Sequence, residues 1–353
     1  MNRLTTLLFA ALLAIGLASP AQAAPKKDFR IAWSIYVGWM PWGYAADTGI
    51  VRKWADKYGI DIEVVQINDY VESINQYTAG AFDGCVMTNM DALTIPAAGG
   101  VDSTALIVGD FSNGNDGVVL KGAKDLRAIE GRKVNLVELS VSHYLLARAL
   151  DSVGLAERDI TVVNTGDADI VAAAAAPQVD AIVTWNPQLA EVKALPGATL
   201  VFDSADIPGE IIDLLVVNTA TLADNPALGK ALTGAWYETL ALMAAPTLEG
   251  KAAREAMAKA SGTDLAGFES QLATTKMFYT PAEAAAFARD PALRGTMDKV
   301  RTFSFAHGLL GEGAKSADAV GIAFPDGSTL GDAGNVKLRF DDTYMQMAAD
   351  GGL

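Results

Sequence analysis

Apolar and polar positions in the N-terminal third of the chain follow two periods. Short apolar runs predict β-strands over 29–34, 60–66, 84–88 and 103–109. Apolar residues at helical spacing predict helices over 43–58, 70–79 and 90–98. Regular alternation of strands and helices is typical of βαβ units, so a mostly parallel sheet is expected.

A polar segment rich in Gly and Asn, DFSNGNDG at 110–117, interrupts this pattern and predicts a crossing into a second lobe. Further strands are predicted near 117–120, 132–137, 160–164, 181–185 and 199–202, with helices over 141–153, 168–176 and 187–194. The apolar run 211–217 resembles a strand that returns to the first lobe. From 219 to about 310 the pattern is almost wholly helical and rich in Ala.

These elements predict two α/β lobes joined by two crossings, which is a hinge architecture. Lobe 1 is expected to comprise 24–116 and 217–353, the latter with a C-terminal helical extension. Lobe 2 is expected to comprise 117–216. A ligand held between the lobes would lie at the ends of strands from both.

Residues 1–23 have the features of a signal peptide. Arg3 supplies a positive charge, the apolar stretch 4–18 is too short to span a bilayer, and Ala21-Gln22-Ala23 is a small-residue cleavage site. Cleavage is expected after Ala23, and the mature protein is expected to be exported and soluble.

Composition narrows the function classes. The formal net charge of −15 makes nucleic acid and anionic membranes poor partners and is compatible with a cationic or neutral ligand. Cys85 is the only cysteine, so an intramolecular disulfide is impossible. His143 and His307 are the only histidines and are not spaced as metal ligands, and no G-x-S-x-G motif is present. No enzyme, metal or cofactor is predicted.

Five aromatic residues lie within twelve positions directly after the apolar run 29–32 of the first predicted strand: Trp33, Tyr36, Trp39, Trp42 and Tyr44. Ligands of open α/β sheets bind at strand ends, and aromatic faces suit a flat or cationic molecule. Trp33, Tyr36 and Trp39 are expected in a loop, facing either a ligand or the core. Trp42 and Tyr44 are expected to pack that loop against the next helix.

Polar residues follow other predicted strands. Asn89 and Asp91, in TNMDAL, either cap the following helix or accept hydrogen bonds from a donor-rich ligand. Glu138 and Ser140, in LVELSVSHYLL, likewise form either a helix cap or part of a ligand site, where the carboxylate would oppose an anion.

Two further candidates stand beside the second lobe and the returning strand. Trp185, in VTWNPQLAEV, could stack over a ligand from lobe 2. Asp213, in GEIIDLLVV, is expected to be buried and to need a cation, which either a ligand or a nearby Lys or Arg would supply.

Four segments resemble periplasmic binding proteins of ABC importers of the nitrate, sulfonate, taurine and thiamine-precursor type: IAWSIYVGWMPWGYAADTGI, YTAGAFDGCVMTNMDAL, TWNPQLAEV and LLVVNTATLADNP. Within that family the chain is similar to the branch encoded beside urea carboxylases, which is connected with urea and guanidine. The resemblance implies a two-lobe, type II-like binding protein with a hinge cleft, located in the periplasm.

The resemblance also places the family's cleft positions on this sequence, at Trp33, Ser34, Tyr36, Asn89, Asp91, Glu138, Ser140 and Trp185. The sequence departs from the anion-binding relatives, because Glu138 precedes the helix start of lobe 2 and no Lys or Arg stands in the four loops. Nitrate and sulfonate are therefore not the expected ligands.

The predicted function is a monomeric receptor that binds one small nitrogenous solute and delivers it to the permease subunits of an ABC importer. Guanidinium fits the aromatic and acidic residues best, because it is planar, cationic and rich in N–H donors. Urea is the alternative, followed by a small amine. A periplasmic hydrolase and a sensory receptor are the other classes that the sequence leaves open.

Overall fold

A computed structural model of the protein describes residues 26–353. The predicted signal peptide and its cleavage site after Ala23 lie outside the described residues. Within the described part, no helix is both long enough and apolar enough to cross a membrane.

Strands and helices alternate through most of the described chain. The strands are β1 (Asp28–Trp33), β2 (Asp61–Gln66), β3 (Gly84–Thr88), β4 (Ser103–Ser112), β5 (Asp116–Lys121), β6 (Lys133–Leu136), β7 (Thr161–Asn164), β8 (Ala181–Trp185), β9 (Ala198–Asp203), β10 (Ile212–Asn218), β11 (Thr275–Met277), β12 (Gly321–Ala323), β13 (Thr329–Leu330) and β14 (Val336–Phe340). The helices are α1 (Met40–Asp47), α2 (Ile50–Tyr58), α3 (Tyr70–Thr78), α4 (Asn89–Ala92), α5 (Val141–Ser152), α6 (Ile170–Ala175), α7 (Gln188–Lys193), α8 (Thr219–Asp224), α9 (Pro226–Ala244), α10 (Leu248–Ala260), α11 (Leu265–Leu272), α12 (Pro281–Ala288), α13 (Pro291–Ala306) and α14 (Thr343–Ala349).

The strands form two sheets. The larger has the order β13-β12-β14-β4-β10-β3-β1-β2, with β11 paired to β4, and the smaller has the order β7-β6-β8-β5-β9. β1 runs parallel to β2 and β3, as the βαβ pattern predicts. β10 runs antiparallel to both β3 and β4, because it enters from the other sheet and not through a crossover helix. The sheets are therefore mixed.

The chain passes between the sheets twice, from β4 to β5 and from β9 to β10. Hydroxyl groups tie the two crossings together: Ser112 Oγ lies 2.6 Å from Ser204 Oγ, which accepts a hydrogen bond from the N–H of Gly114 at 2.7 Å. Both serines are fully buried. The predicted break at 110–117 is thus an ordered hinge, in which Ser204 of the second crossing forms hydrogen bonds with Ser112 and Gly114 of the first.

The helix predicted over 43–58 is wrong as a single element. It is divided into α1 and α2, because Gly49 adopts a left-handed conformation with φ of 77°. The predicted loop before it becomes helical already at Val37–Trp39. Trp42 lies within α1 and stacks on Trp236 of α9 with ring centroids 5.0 Å apart, and both rings are buried.

Candidate functional site

A small cavity lies between the two sheets, where their strand ends meet. Trp33 and Thr88 end β1 and β3 at this edge of the larger sheet, and Trp185 ends β8 at the facing edge of the smaller one. The lining residues come from both sides: Tyr36, Trp39, Tyr70, Thr88, Asp116, Val141, Trp185, Ile211 and Asp213. The cavity volume is about 20 Å³. One water needs roughly 10–15 Å³ on this measure, so the cavity suits a ligand of few heavy atoms.

Aromatic rings form a continuous wall of the cavity. Tyr36 packs edge-on against Trp39 with centroids 5.0 Å apart, and Trp39 lies 5.6 Å from Tyr70. Tyr70, the first residue of α3, contacts Trp185 across the cleft at 5.7 Å. Because Trp185 belongs to the smaller sheet, the wall is complete only when the two sheets face each other as they do here. The buried Nε1 of Trp39 has no hydrogen-bond partner.

Two carboxyl groups form a pair, and one of them, Asp213, lines the cavity. Asp110 of β4 and Asp213 of β10 are register partners on antiparallel strands, and both are buried. The hydroxyl of Tyr36 donates to Asp110 Oδ1 at 3.1 Å. Oδ2 of each aspartate has no hydrogen-bond partner among the described residues. Burial raises the pKa of Asp110 to about 7, and burial together with repulsion from Asp110 raises the pKa of Asp213 well above its usual range.

Asp116 adds a third buried carboxyl group from the first crossing. It is the first residue of β5, and its Oδ2 accepts a hydrogen bond from the Ser112 hydroxyl at 2.5 Å. Burial raises its pKa to about 7, partly offset by that hydrogen bond. The hinge therefore positions a titratable acid in the cavity wall.

Asp91, in the first turn of α4, completes the acidic group from the aromatic side. Its Oδ2 accepts hydrogen bonds from the Tyr70 hydroxyl at 2.6 Å and the Thr88 hydroxyl at 2.9 Å, while Oδ1 has no side-chain donor. Burial raises its pKa to about 6, and the backbone of Val141 at the start of α5 offsets part of that rise. The carboxyl group thus faces a helix start of the other lobe.

These four aspartates form no salt bridge with any Lys, Arg or His of the described chain. None of the described lining residues is basic. Buried ionised carboxylates without a partner cost several kcal/mol each, so in the unliganded protein part of the group is protonated. A cation that entered the cavity would supply the missing charge.

Four of the residues that the sequence predicts for the site line the cavity: Tyr36, Trp39, Trp185 and Asp213. Asp91 lies one hydrogen bond behind the lining residues Tyr70 and Thr88. The predicted pairing of an aromatic group from lobe 1 with Trp185 from lobe 2 agrees with this geometry.

Two predicted residues from the first and third strand ends lie elsewhere. The ring of Trp33 is buried beneath α1, where a Cβ at Gly43 would approach its Cζ2 to 2.5 Å. Asn89 serves the hinge: its amide donates to the carbonyl of Glu210 at 3.1 Å and accepts from the N–H of Ile212 at 3.1 Å. Packing against α1 positions the side chain of Trp33, and hydrogen bonds position that of Asn89. The location of these residues at strand ends does not reveal either interaction.

The other predicted residues do not line the cavity either. Ser34 is buried beside the first strand end. Glu138 is exposed, and only its backbone N–H is bonded, to Asn164. Ser140 caps α5, since its hydroxyl accepts from the N–H of Ser142 and donates to the carbonyl of Val137. The capping alternative given for Glu138 and Ser140 describes this loop.

Sequence reasoning did not select Tyr70, Asp110 or Asp116. Asp110 and Asp116 lie at the two ends of the predicted break at 110–117. Because a crossing between lobes borders the cleft, acidic residues at its ends were a signal that could have identified both. Tyr70 follows Asp69, the N-cap of α3, and reaches the cavity because α3 begins at the same sheet edge.

A group of His143, Glu157 and His307 lies away from this cavity, and it is the one described cluster whose donor atoms are close enough for a metal ion. Nδ1 of His143 accepts a hydrogen bond from the N–H of Leu139 at 3.1 Å. The neutral ring therefore carries its proton on Nε2 and offers no lone pair there. The cluster is better described as hydrogen-bonded groups than as a metal centre.

Solved structures with this architecture are periplasmic binding proteins. The alkanesulfonate-binding protein SsuA from Xanthomonas axonopodis pv. citri, solved with MOPS, gives a TM-score of 0.66 at 19% identity over 84% of this chain and 99% of that chain. The sulphonate-binding SsuA from Escherichia coli gives 0.64 at 19% identity, covering 81% and 94%. The nitrate-binding NrtA from Synechocystis PCC 6803 gives 0.58 at 13% identity, covering 94% and 100%. The predicted two-lobe α/β fold is confirmed.

Sequence relationships agree with the fold. A protein of Brucella abortus (strain 2308), described as a binding protein, is 26% identical over 203 residues. That alignment covers 54% of this chain and 62% of the relative, so the chain matches less than two thirds of the relative's length. The model of the NMT1/THI5-like family matches residues 44–246, which is more than half of the chain. The chain therefore belongs to the NMT1/THI5-like family.

Proposed function

We propose that this protein is a periplasmic solute-binding protein of an ABC importer and that its ligand is guanidinium. The observation that carries the proposal is a cavity of few-atom size whose walls are aromatic rings and buried carboxyl groups without a basic partner. The fold and the described binding proteins among its relatives support a receptor and not an enzyme.

Charge is the first argument for a cation. Asp213 and Asp116 line the cavity, Asp110 is paired with Asp213, and Asp91 lies behind the lining residues Tyr70 and Thr88. Each of these four carboxyl groups has a pKa above its ordinary value because it is buried. A bound cation stabilises the ionised forms, whereas an anion adds repulsion. The sulfonate and nitrate ligands named for the structural neighbours therefore do not suit this cavity.

Shape and hydrogen bonding select among cations. Guanidinium is flat, so its faces can stack on the rings of Trp39 and Trp185, and its N–H groups point outward in the plane. The carboxylates of the lining residues Asp213 and Asp116 supply acceptors for such in-plane donors. A compact ammonium ion would use the charge but not the two aromatic faces.

Urea has the same planar shape but no charge. Bound in this cavity, it would leave the carboxylates uncompensated, or it would require them to remain protonated and donate to its carbonyl oxygen. Guanidinium and urea therefore differ in the protonation state that they favour, which makes them separable by experiment.

A transport role requires that ligand binding change the arrangement of the two lobes. The cavity wall includes Trp185 from the smaller sheet and Trp39 from the larger, so a ligand that contacts both favours the closed arrangement of the lobes. A closed, liganded receptor is the form that permease subunits of an ABC importer would recognise. Export through the predicted signal peptide would place it in the periplasm.

Titration calorimetry of the purified protein with guanidinium chloride, urea, methylammonium, nitrate and ethanesulfonate tests the proposal. Submillimolar concentrations stay far below those that denature proteins. We expect saturable heat with guanidinium and at least tenfold weaker binding of each other compound. Tighter binding of urea or of an anion would replace guanidinium as the ligand.

Trp185→Ala is expected to weaken guanidinium binding by more than tenfold, because it removes the only aromatic cover from the smaller sheet among the described lining residues. Calorimetry at pH 8 measures the change. Trp236→Phe is a matched control, since Trp236 is a buried tryptophan that packs on Trp42 outside the cavity. Equal affinity of wild type and Trp185→Ala would assign Trp185 to the core.

Gly38→Ala is expected to reduce guanidinium affinity by about tenfold. A Cβ at this position would lie 2.5 Å from Cε1 of Tyr36 and 2.7 Å from Oδ2 of Asp110, so both groups must shift. Gly295→Ala on α13 meets open space and serves as the control. Unchanged affinity in Gly38→Ala would show that neither group needs its observed position.

A further inference from the structure

The histidine cluster joins parts of the chain that belong to different sheets. His143 lies on α5 and Glu157 in the short helical turn Glu157–Asp159, between β6 and β7 of the smaller sheet. His307 directly follows α13, which packs against α4 beside the larger sheet. Nε2 of His307 and Nε2 of His143 each lie 2.7 Å from Oε1 of Glu157. The cluster therefore spans the two lobes.

α13 contacts the other lobe and the hinge along one helix face. Lys299 forms a salt bridge with Glu210 in the second crossing, Phe303 packs edge-on against Tyr144 of α5 at 5.2 Å, and His307 meets Glu157. Positions 299, 303 and 307 are four residues apart and thus share a face. α13 acts as a strap beside the cleft, with the histidine cluster at its C-terminal end.

Two backbone contacts determine where the histidine protons lie. Nδ1 of His307 is 2.9 Å from the carbonyl oxygen of Phe303, so Nδ1 carries a proton. Nδ1 of His143 accepts from the N–H of Leu139, so the proton of its neutral ring lies on Nε2. A neutral His307 would direct the lone pair of Nε2 at the carboxylate of Glu157. A protonated His307 donates to that carboxylate and forms a charged hydrogen bond.

We propose that His307 is a proton-operated latch: protonation of its Nε2 ties the end of α13 to Glu157 of the other lobe and favours the closed arrangement. The inference does not depend on which ligand the cavity takes. The hydrogen bond to Glu157 raises the pKa of His307, and the two histidines hold the pKa of Glu157 near 2. The latch therefore strengthens as the pH falls below the raised pKa of His307.

Other titratable groups surround the histidine cluster or face the cleft, and they also contribute to the pH dependence of closure. Those on α5, α13 and the neighbouring turn are Tyr144, Arg148, Asp151, Asp159, Asp298 and Lys299, with Glu210 in the hinge. Across the cleft, the buried Asp167 has a pKa raised to about 6 by burial and by Asp69. Because the buried cleft acids titrate over the same pH range, the effect of His307 must be measured as a difference between variants.

The test measures lobe closure in the unliganded protein by fluorescence transfer between dyes at Asn75→Cys on α3 and Ala172→Cys on α6. Both positions are exposed, and Cys85 is buried and protected from labelling. We expect the ratio of closed to open protein to rise from pH 8.5 to pH 5.5 at least about threefold more in wild type than in His307→Gln. Glu157→Gln should show the same reduced pH dependence of closure as His307→Gln.

Control measurements keep the outcome interpretable. Asp61→Asn, at an exposed position of β2 outside both the cavity lining and the histidine cluster, should show the same pH dependence of closure as wild type. Circular dichroism and thermal unfolding confirm that each variant folds. Equal pH dependence in wild type and His307→Gln would overturn the proposal. Closure that requires added Zn²⁺ and is abolished by EDTA would also overturn it, since the cluster would then act as a metal site.

Discussion

Replacing Asp213 with Asn is expected to weaken guanidinium binding by about a hundredfold while raising the thermal stability of the unliganded protein. Truncating one partner of a buried charge pair costs about 2–5 kcal/mol of binding free energy, which corresponds to roughly thirtyfold to a few thousandfold. Asp213 lines the cavity, and its buried Oδ2 has no hydrogen-bond partner among the described residues. The cation therefore loses a principal acceptor.

The gain in stability has a separate cause. Asp213 faces Asp110 across paired strands, and the buried pair cannot ionise fully without repulsion. Asparagine keeps the shape and can donate a hydrogen bond to Asp110. We expect the unfolding midpoint at pH 8 to rise by about 2–4 °C, which corresponds to roughly 1 kcal/mol.

Calorimetry and thermal unfolding of the same preparation measure the expected loss of affinity and the expected gain of stability. Asp61→Asn, at an exposed position of β2 in the same sheet, is the control and should change neither quantity. A drop in stability with unchanged affinity would make Asp213 a structural residue. It would remove the acidic wall from the proposed ligand site.

Guanidinium affinity is expected to increase at least tenfold between pH 5.5 and pH 8.5. The pKa values of Asp91, at about 6, and of Asp110 and Asp116, at about 7, lie within this range because the three groups are buried. The cation binds the ionised forms, so each carboxyl that must first lose a proton weakens binding about tenfold per pH unit below its pKa. Urea should bind equally well across this range or better at low pH.

The stability of the unliganded protein should change in the opposite direction. A carboxyl group whose pKa is raised on folding contributes stability that is fully present below its unfolded pKa near 4. That contribution is lost as the pH rises through the folded values of about 6 to 7. The unfolding midpoint should therefore fall from pH 5 to pH 8 unless guanidinium is present.

Thermal unfolding across this pH range, with and without 1 mM guanidinium chloride, measures the effect. The stabilisation by guanidinium should be largest at pH 8, where the acids would otherwise be ionised and unpaired. A shift by guanidinium that is the same at pH 5 and pH 8 would contradict binding to these carboxylates. The variant Asp116→Asn should show a smaller pH dependence than wild type.

Local sequence pattern predicted most strands closely, because apolar runs and helical spacing reflect which side chains each element buries. The strand predicted over 84–88 coincides with β3, and the strand predicted over 181–185 coincides with β8. The pattern also placed Trp39 and Trp185 near strand ends, where the cavity lies. Their common location follows from the rule that ligands bind at such ends in α/β folds.

The sequence by itself determined the α/β lobes, the two crossings and most of the aromatic residues of the site, since these follow from local periodicity and from position at strand ends. Only the tertiary structure decided which acids meet. Asp110 and Asp213 are 103 positions apart, and they face each other because β10 returns antiparallel to β4 in one register. Asp116 joins them through the hinge, and exposed Glu138 does not. Long-range register and lobe closure set these contacts, and no local pattern encodes either.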